Sequence, residues 1–395
     1  MADSASGRRF FLVAGEPSGD ALGGRLMAAL DALSVEKIHY TGIGGKAMAA
    51  QDLESLFPID ELSIMGLFEV LPSLPRLIRR LNLTAATIRN QHPDAVITID
   101  APGFNFRLAR RLKKNPRTKD IPIIHLVAPS VWAWRPGRAK EVAGFLDHLL
   151  ALLPFEPPYF ESQGLATTFI GHPVLESGAG EGDGAAFRAR HAIAPDIPIL
   201  ILLPGSRAGE VGRLLPVFKE TLDLLQKEMP GLHVVLPCVP ALAETIEAET
   251  ANWSLPVTCL SGEAEKFDAF AAGTVALAAS GTVTTELAMA GLPMVVTYKM
   301  NPFTALLARH LVKVPYVTLV NLVLEKAAIP EFLQGDCQPD RLAGALMELV
   351  VNAKSRAAQI GAFSQALDRL GQGGETPSRK AARVILDVVA SGFKR

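Results

Sequence analysis

Cysteine is scarce in this sequence: only Cys238, Cys259 and Cys337 occur in 395 residues, far apart, with no CxxC pair and no histidines nearby at metal-ligand spacing. A disulfide framework and a structural zinc site are thereby excluded, and buried or free thiols in a reducing compartment are expected. Net charge is almost absent too, at −1. The chain has no long-range field for a polyanion, which argues against general nucleic-acid binding and makes any attraction to phosphate local. Long apolar runs are missing as well. The best candidate, Ala305 to Leu324, is interrupted by Arg309, His310, Lys313 and Pro315, short of the roughly 18 apolar residues that cross a bilayer. The amino terminus has a short apolar run ending at Gly15-Glu16-Pro17 and lacks the longer apolar region of a secretory signal. Membrane contact is therefore expected to be peripheral. No DxD pair occurs, so a metal clamp on a diphosphate has no obvious ligands; neither a metal nor a cofactor is expected.

What is present reads as α/β. Hydrophobic residues make up 49% and charged residues 20%, a balance suited to compact folding, and the length suits two domains. Apolar strand-like runs alternate with longer helical patterns: RRFFLVAG, ALGGRLMAALDAL, KIHYTGIGG, then DAVITID and IPIIHLVA. Such alternation predicts βα units and a parallel sheet. The pattern pauses at SGAGEGDGAA, Ser177 to Ala186, the best linker candidate. It restarts through IPILILLPGS, LLPVFKETLDLLQKE, LHVVLP, PVTCL, TVALAAS and LPMVVTY. Two doubly wound, Rossmann-like domains facing a central cleft are expected. The first covers 1–176 and is the acceptor and lipid side, the second 187–345 and binds the nucleotide sugar; helices over 346–395 pack back on the first.

The segment from Ile59 to Leu81 departs from this pattern. Ile64, Met65, Leu67, Phe68, Leu71 and Leu74 are followed by Arg76, Arg79 and Arg80. Apolar side chains beside a basic cluster suit contact with acyl chains or an anionic membrane. A core helix with a solvated arginine edge accounts for the same residues equally well.

Four strand-to-helix junctions carry candidate chemistry. Gly15-Glu16-Pro17-Ser18-Gly19-Asp20 follows the first strand without the GxGxxG spacing of a dinucleotide site; Glu16, Ser18 and Asp20 are acceptor-side candidates, with Ser18 or Asp20 alternatively capping the helix. Asp100 ends the DAVITID strand, where open α/β sheets place their ligand crevice, and is the preferred general base; helix capping competes. His125, on the next strand, is a rival base or a core histidine. Gly205, Ser206 and Arg207 suit a diphosphate, since helix-terminal amides and a guanidinium stabilise the charge of a departing nucleoside diphosphate, although Arg207 could instead pair with Glu210. Ser280, Gly281 and Thr282 end a later strand one turn before Glu286, an arrangement for phosphate and ribose hydroxyls or for a helix cap.

In order and spacing, GEPSGD, IDAPGFN, PSVWAWR, GHPVLE, LPGSRAGEV, SGTVTTE and Asn321 with Pro330-Glu331-Phe332-Leu333-Gln334 together resemble the lipid-A-disaccharide synthase family over nearly the whole chain. The resemblance implies a GT-B fold and inverting transfer from UDP-2,3-diacylglucosamine to 2,3-diacylglucosamine 1-phosphate, giving a β-1,6-linked disaccharide and UDP. It implies work at the cytoplasmic face of the inner membrane. Asp100 then matches the family's base, Arg207 its diphosphate contact, and Glu286, Asn321 and Gln334 its nucleotide-side residues. Val283 and Thr285 stand where similar proteins often have alanine and leucine. The other readings that remain are a GT-B transferase acting on a polyprenyl-linked sugar, a UDP-sugar epimerase and a non-catalytic UDP-sugar sensor.

Overall fold

The computed structural model describes residues 7–62, 67–301 and 314–391, with the side chains of 67–73 outside the description. The chain packs as two compact units, one drawn from Met1–Pro173 with Gly373–Arg395 and the other from Val174–Gln372.

In the first unit the elements run β1 (Arg8–Ala14), α1 (Pro17–Leu33), β2 (Ile38–Ile43), α2 (Lys46–Ala49), β3 (Glu54–Ser55), α3 (Leu67–Gln91), β4 (Ala95–Ile99) and α4 (Pro102–Lys114). They continue with β5 (Ile123–Leu126), α5 (Val131–Trp134), α6 (Arg138–Ala143), β6 (His148–Ala151) and β7 (Ala166–Phe169). The strands form one parallel sheet in the order β3-β2-β1-β4-β5-β6-β7. Phe10 to Ala14 in β1 and Ala95 to Val96 in β4 are wholly buried. Helices cover both faces of a parallel sheet, which is why these strands read as continuous apolar runs rather than alternating ones. The sheet's order reverses between β1 and β4. A helix over Pro377–Ala390 returns to this unit, packs on α1, and adds Ala381, Ala382 and Ile385 to its core.

The second unit repeats the scheme with β8 (Ile199–Leu203), β9 (His233–Cys238), β10 (Val257–Ser261), β11 (Val275–Ala279), β12 (Met294–Tyr298) and β13 (Glu331–Leu333). They are parallel, in the order β10-β9-β8-β11-β12-β13, and the reversal falls between β8 and β11. Ser177 to Ala186 lies inside this unit. Asp183 caps the short helix Gly184–Arg190 by accepting from the Ala186 amide at 2.9 Å, and Ala179 is buried. Helices Pro339–Val351 and Ala353–Arg369 also belong here, contributing Leu342, Leu346, Phe363 and Ala366 to its core. Of the helical segments beyond 346, only the last joins the first unit.

Candidate active site

In a doubly wound sheet a ligand crevice opens beyond the carboxyl ends of the two strands flanking the reversal. In the first unit these ends are Gly15, after β1, and Asp100, after β4. The chain turns sharply there: Asp100 and Ala101 both take left-handed backbone, with φ of 46° and 44°. Such conformations cost of order 1–3 kcal/mol each and persist only where surroundings enforce them. Asn105, fully buried on α4, does so by donating Nδ2 to the carbonyls of Asp100 at 2.8 Å and Ile99 at 3.1 Å. Gly15 lets the two turns meet, because a Cβ there would lie 2.4 Å from that of Ala101. The α4 helix begins at Pro102 with Ala101 as its cap residue and no side-chain cap bond. Asp100 is therefore not a helix cap. It is half-buried, forms no ion pair among the described residues, and burial lifts its carboxyl above the usual carboxylate range against a lowering bond from the Ala101 backbone.

His125 does not share this crevice. It lies in β5, 1% exposed, with Nδ1 2.7 Å from Thr98 Oγ1 and its ring edge-on to Phe106. Burial pushes its pKa down to about 3, and the structure places it in the core rather than at the crevice where the rival-base reading would need it. Asp20 is also committed elsewhere. It is buried and accepts from the amides of Gly45 at 2.6 Å, Ala47 at 2.8 Å and Met48 at 3.1 Å, capping α2 rather than its own helix. The GEPSGD turn and the Gly42-Ile43-Gly44-Gly45 turn are thus tied together. Glu16 occupies the cap position of α1 without a side-chain cap bond, and Ser18 is exposed in the first turn.

The second unit has a cavity of about 380 Å³ at its own reversal, beyond β8 and β11. Gly205, Ser206, Arg207, Ser280, Gly281, Thr282 and Glu286 all line it. Gly205 has φ of 112°, and a Cβ there would lie 2.5 Å from a Glu210 carboxylate oxygen. Glu210, on the helix Ala208–Glu228, accepts from the Ser206 amide at 3.2 Å and from Arg207 Nη1 at 3.1 Å. The Arg207–Glu210 pair weighed above therefore exists, and it leaves the arginine side chain 64% exposed at the cavity. Ser280 Oγ donates to the Val317 carbonyl at 3.3 Å, and Thr282 makes no side-chain cap bond, so the helix Val283–Met289 begins with this hydroxyl free of capping. Glu286 pairs with Lys266 at 2.8 Å. Lys266 carries polar chemistry at this cavity that no motif had singled out. The signal for Lys266 is its place just past the carboxyl end of β10, in GEAEK.

Asn321 and Gln334 are not brought to this cavity among the described residues. Asn321 is wholly buried, donating Nδ2 to the Ile329 carbonyl and Glu331 while Oδ1 accepts from the amides of Ala328 and Ile329, at 2.8–2.9 Å. Its amide is used up in shaping the loop before β13. Gln334 follows β13 with φ of 54° and accepts from the Met300 amide at 3.3 Å.

Of the segment expected to contact lipid, Ile64 and Met65 and the side chains of Leu67, Phe68 and Leu71 lie outside the described residues. Farther along α3, Leu74 and Ile78 are exposed beside exposed Arg76 and Arg79. Arg80 differs: it chelates Glu61, with Nε–Oε2 at 2.7 Å, and lies over Phe57. That removes it from the free basic cluster. No described helix is long and apolar enough to cross a membrane, and no group of three or more His, Cys, Asp or Glu among the described residues could hold a metal ion.

Solved structures share this architecture. The UDP-GlcNAc 2-epimerase of Neisseria meningitidis bound to UDP-GlcNAc superposes with a TM-score of 0.61 at 10% identity, covering 97% of this chain and 100% of that one. A glycosyltransferase from Rickettsia africae superposes with a TM-score of 0.60 at 10% identity and 99% coverage of both chains. The fold is thus GT-B, two Rossmann-like units. In sequence, the lipid-A-disaccharide synthase of Rhodospirillum centenum is 53% identical over 379 residues, 96% of this chain and 94% of that protein. The family description lipid-A-disaccharide synthetase matches residues 10–385, and the chain belongs to the lipid-A-disaccharide synthase family.

Proposed function

We propose that the chain is an inverting glycosyltransferase that joins UDP-2,3-diacylglucosamine to 2,3-diacylglucosamine 1-phosphate, with Asp100 as general base and Arg207 steadying the departing UDP. A UDP-sugar donor and a sugar-phosphate acceptor follow from membership in the family; the acyl groups and the residue roles are our reading. The observation that carries it is the half-buried carboxylate of Asp100, which forms no ion pair among the described residues, at the switch point of the first sheet. Burial raises its proton affinity, as removal of a proton from a sugar hydroxyl requires. The acceptor's 6-hydroxyl oxygen attacks the donor's anomeric carbon as its proton passes to Asp100. The bond to the diphosphate breaks on the opposite face, and UDP leaves with the electron pair.

Negative charge then grows on the diphosphate. Arg207, paired with Glu210 and exposed at the cavity, supplies a fixed donor where it accumulates. Glu286, paired with Lys266 at the same cavity, is the residue we assign to the ribose hydroxyls. Acyl chains are costly to leave in water. The Leu74–Ile78 face with Arg76 and Arg79 accounts for docking on the cytoplasmic face of the inner membrane, where the lipid substrates are met.

Incubation with both substrates in detergent and EDTA, followed by mass spectrometry, tests the reading. Disaccharide and UDP should form together only when both substrates are present. Conversion of the UDP-sugar alone would make the chain an epimerase, in line with one of its structural neighbours, and bound UDP without turnover would make it a sensor.

A further inference from the structure

Beside the Asp100 turn, the first unit holds a second concavity, of about 600 Å³, that no role above has used. Phe106 and the first two residues of α4, Pro102 and Gly103, which directly follow Asp100-Ala101, line it. Four arginines line it: Arg107 and Arg110 from α4, Arg135 from the end of α5, and Arg138 from α6. Glu141 is the one carboxylate among the lining residues, and it pairs with Arg110. Arg107, Arg135 and Arg138 form no ion pair among the described residues. Arg107 donates to the Gly103 carbonyl of its own helix. Arg135 stacks on Trp134 at 4.5 Å, and Arg138 lies over Phe106 at 5.2 Å.

Gathering like charges in one concavity costs free energy unless an anion neutralises them. At Arg138 burial chiefly, with the charges of Arg135 and Arg110 adding to it, draws the proton affinity down despite Glu141. Stacking on aromatic rings also restricts the side chains before any ligand arrives, which lowers the entropy cost of forming paired hydrogen bonds. Planar guanidinium groups bind phosphate oxygens two at a time.

We infer that this four-arginine pocket is the subsite for the phosphate monoester of the acceptor, seating the sugar so that its distant hydroxyl comes to Asp100. The inference rests on the proposed transfer reaction and names its acceptor recognition. A glycosyl phosphate at neutral pH carries close to two negative charges, and the pocket offers three guanidinium groups in excess of its one carboxylate to neutralise them. The chemistry would also suit the headgroup phosphate of a membrane lipid, and the two sources separate by experiment.

The test is the double variant Arg107→Gln, Arg135→Gln, whose side chains are both exposed, so the fold is not at stake. Steady-state kinetics are run on the full chain with the phosphorylated acceptor and with the same acylated sugar lacking phosphate. The pocket predicts that acceptor KM rises at least about tenfold, the scale of one lost charge-assisted hydrogen bond. Donor KM stays unchanged, and preference for the phosphorylated acceptor shrinks by the same factor. An unchanged acceptor KM, or an equal loss on both acceptors, overturns the inference. Sedimentation with phosphatidylglycerol vesicles forms the second arm: loss of vesicle binding with acceptor preference intact assigns the arginines to lipid headgroups and overturns it too. Absence of any disaccharide from the unaltered protein would instead refute the transfer reaction itself.

Discussion

At the scale of single residues, Asp100 carries the sharpest consequences. General-base help is worth about 10²–10⁴ in rate, so Asp100→Asn should lower kcat by that order in a folded protein. Near-normal turnover would remove the residue from the role. The base must be ionised, and burial raises its pKa above the ordinary 3.8. Activity should therefore fall as pH drops through that raised value, and the variant's residual rate should lack this acid limb. The same shift opposes stability. A carboxyl with a raised folded pKa contributes stability below its unfolded pKa that is lost as pH rises through the folded one. Asp100→Asn should thus unfold no more readily than the parent at neutral pH, a point checked by thermal melts. Asn321 is the converse case. Asn321→Ala strands buried amides and carbonyls, each costing about 1–3 kcal/mol, and should lower the urea midpoint while sparing donor KM. Unaltered stability with a raised donor KM would make Asn321 a ligand contact after all. Position was legible in the sequence within a few residues of a strand end: Asp100 stands after β4, and Arg207 and Glu286 line the cavity of the second unit. The partners of Asp20 and Asn321 were not legible, because a polar side chain looks the same whether its partners are ligand atoms or backbone groups of another segment. Asp20's partners lie at Gly45 to Met48.

At the scale of elements, the strands were legible because parallel strands buried on both faces read as unbroken apolar runs. Ser177 to Ala186 was misleading. Small residues signal flexibility or close packing alike, and here Asp183 and Ala179 belong to a packed segment. The α3 helix divides similarly: Arg80 is consumed by Glu61, while Leu74 and Ile78 remain 42% and 49% exposed. Replacing both with serine should weaken sedimentation with anionic vesicles without altering kcat on detergent-dispersed substrates. Equal sedimentation would leave membrane docking to other surfaces.

For the molecule as a whole, two repeats of one sheet plan were readable from the restart of βα alternation at IPILILLPGS, from Ile197. The units' true extents were not, because a contact between Ile385 and the β1 layer has no signature in local pattern. Ending the chain after Gln372 removes the helix that completes the first core. Amides of β1 and α1 should then lose hydrogen-exchange protection while those of β8 keep theirs; uniform protection would show that the returning helix is dispensable. The central claim is a single displacement driven by Asp100, and NMR of the new glycosidic bond tests it most directly. A β linkage, inverted from the donor, is the predicted result. Retention of the donor's configuration would require a covalent glycosyl intermediate or a front-face route and would contradict the account.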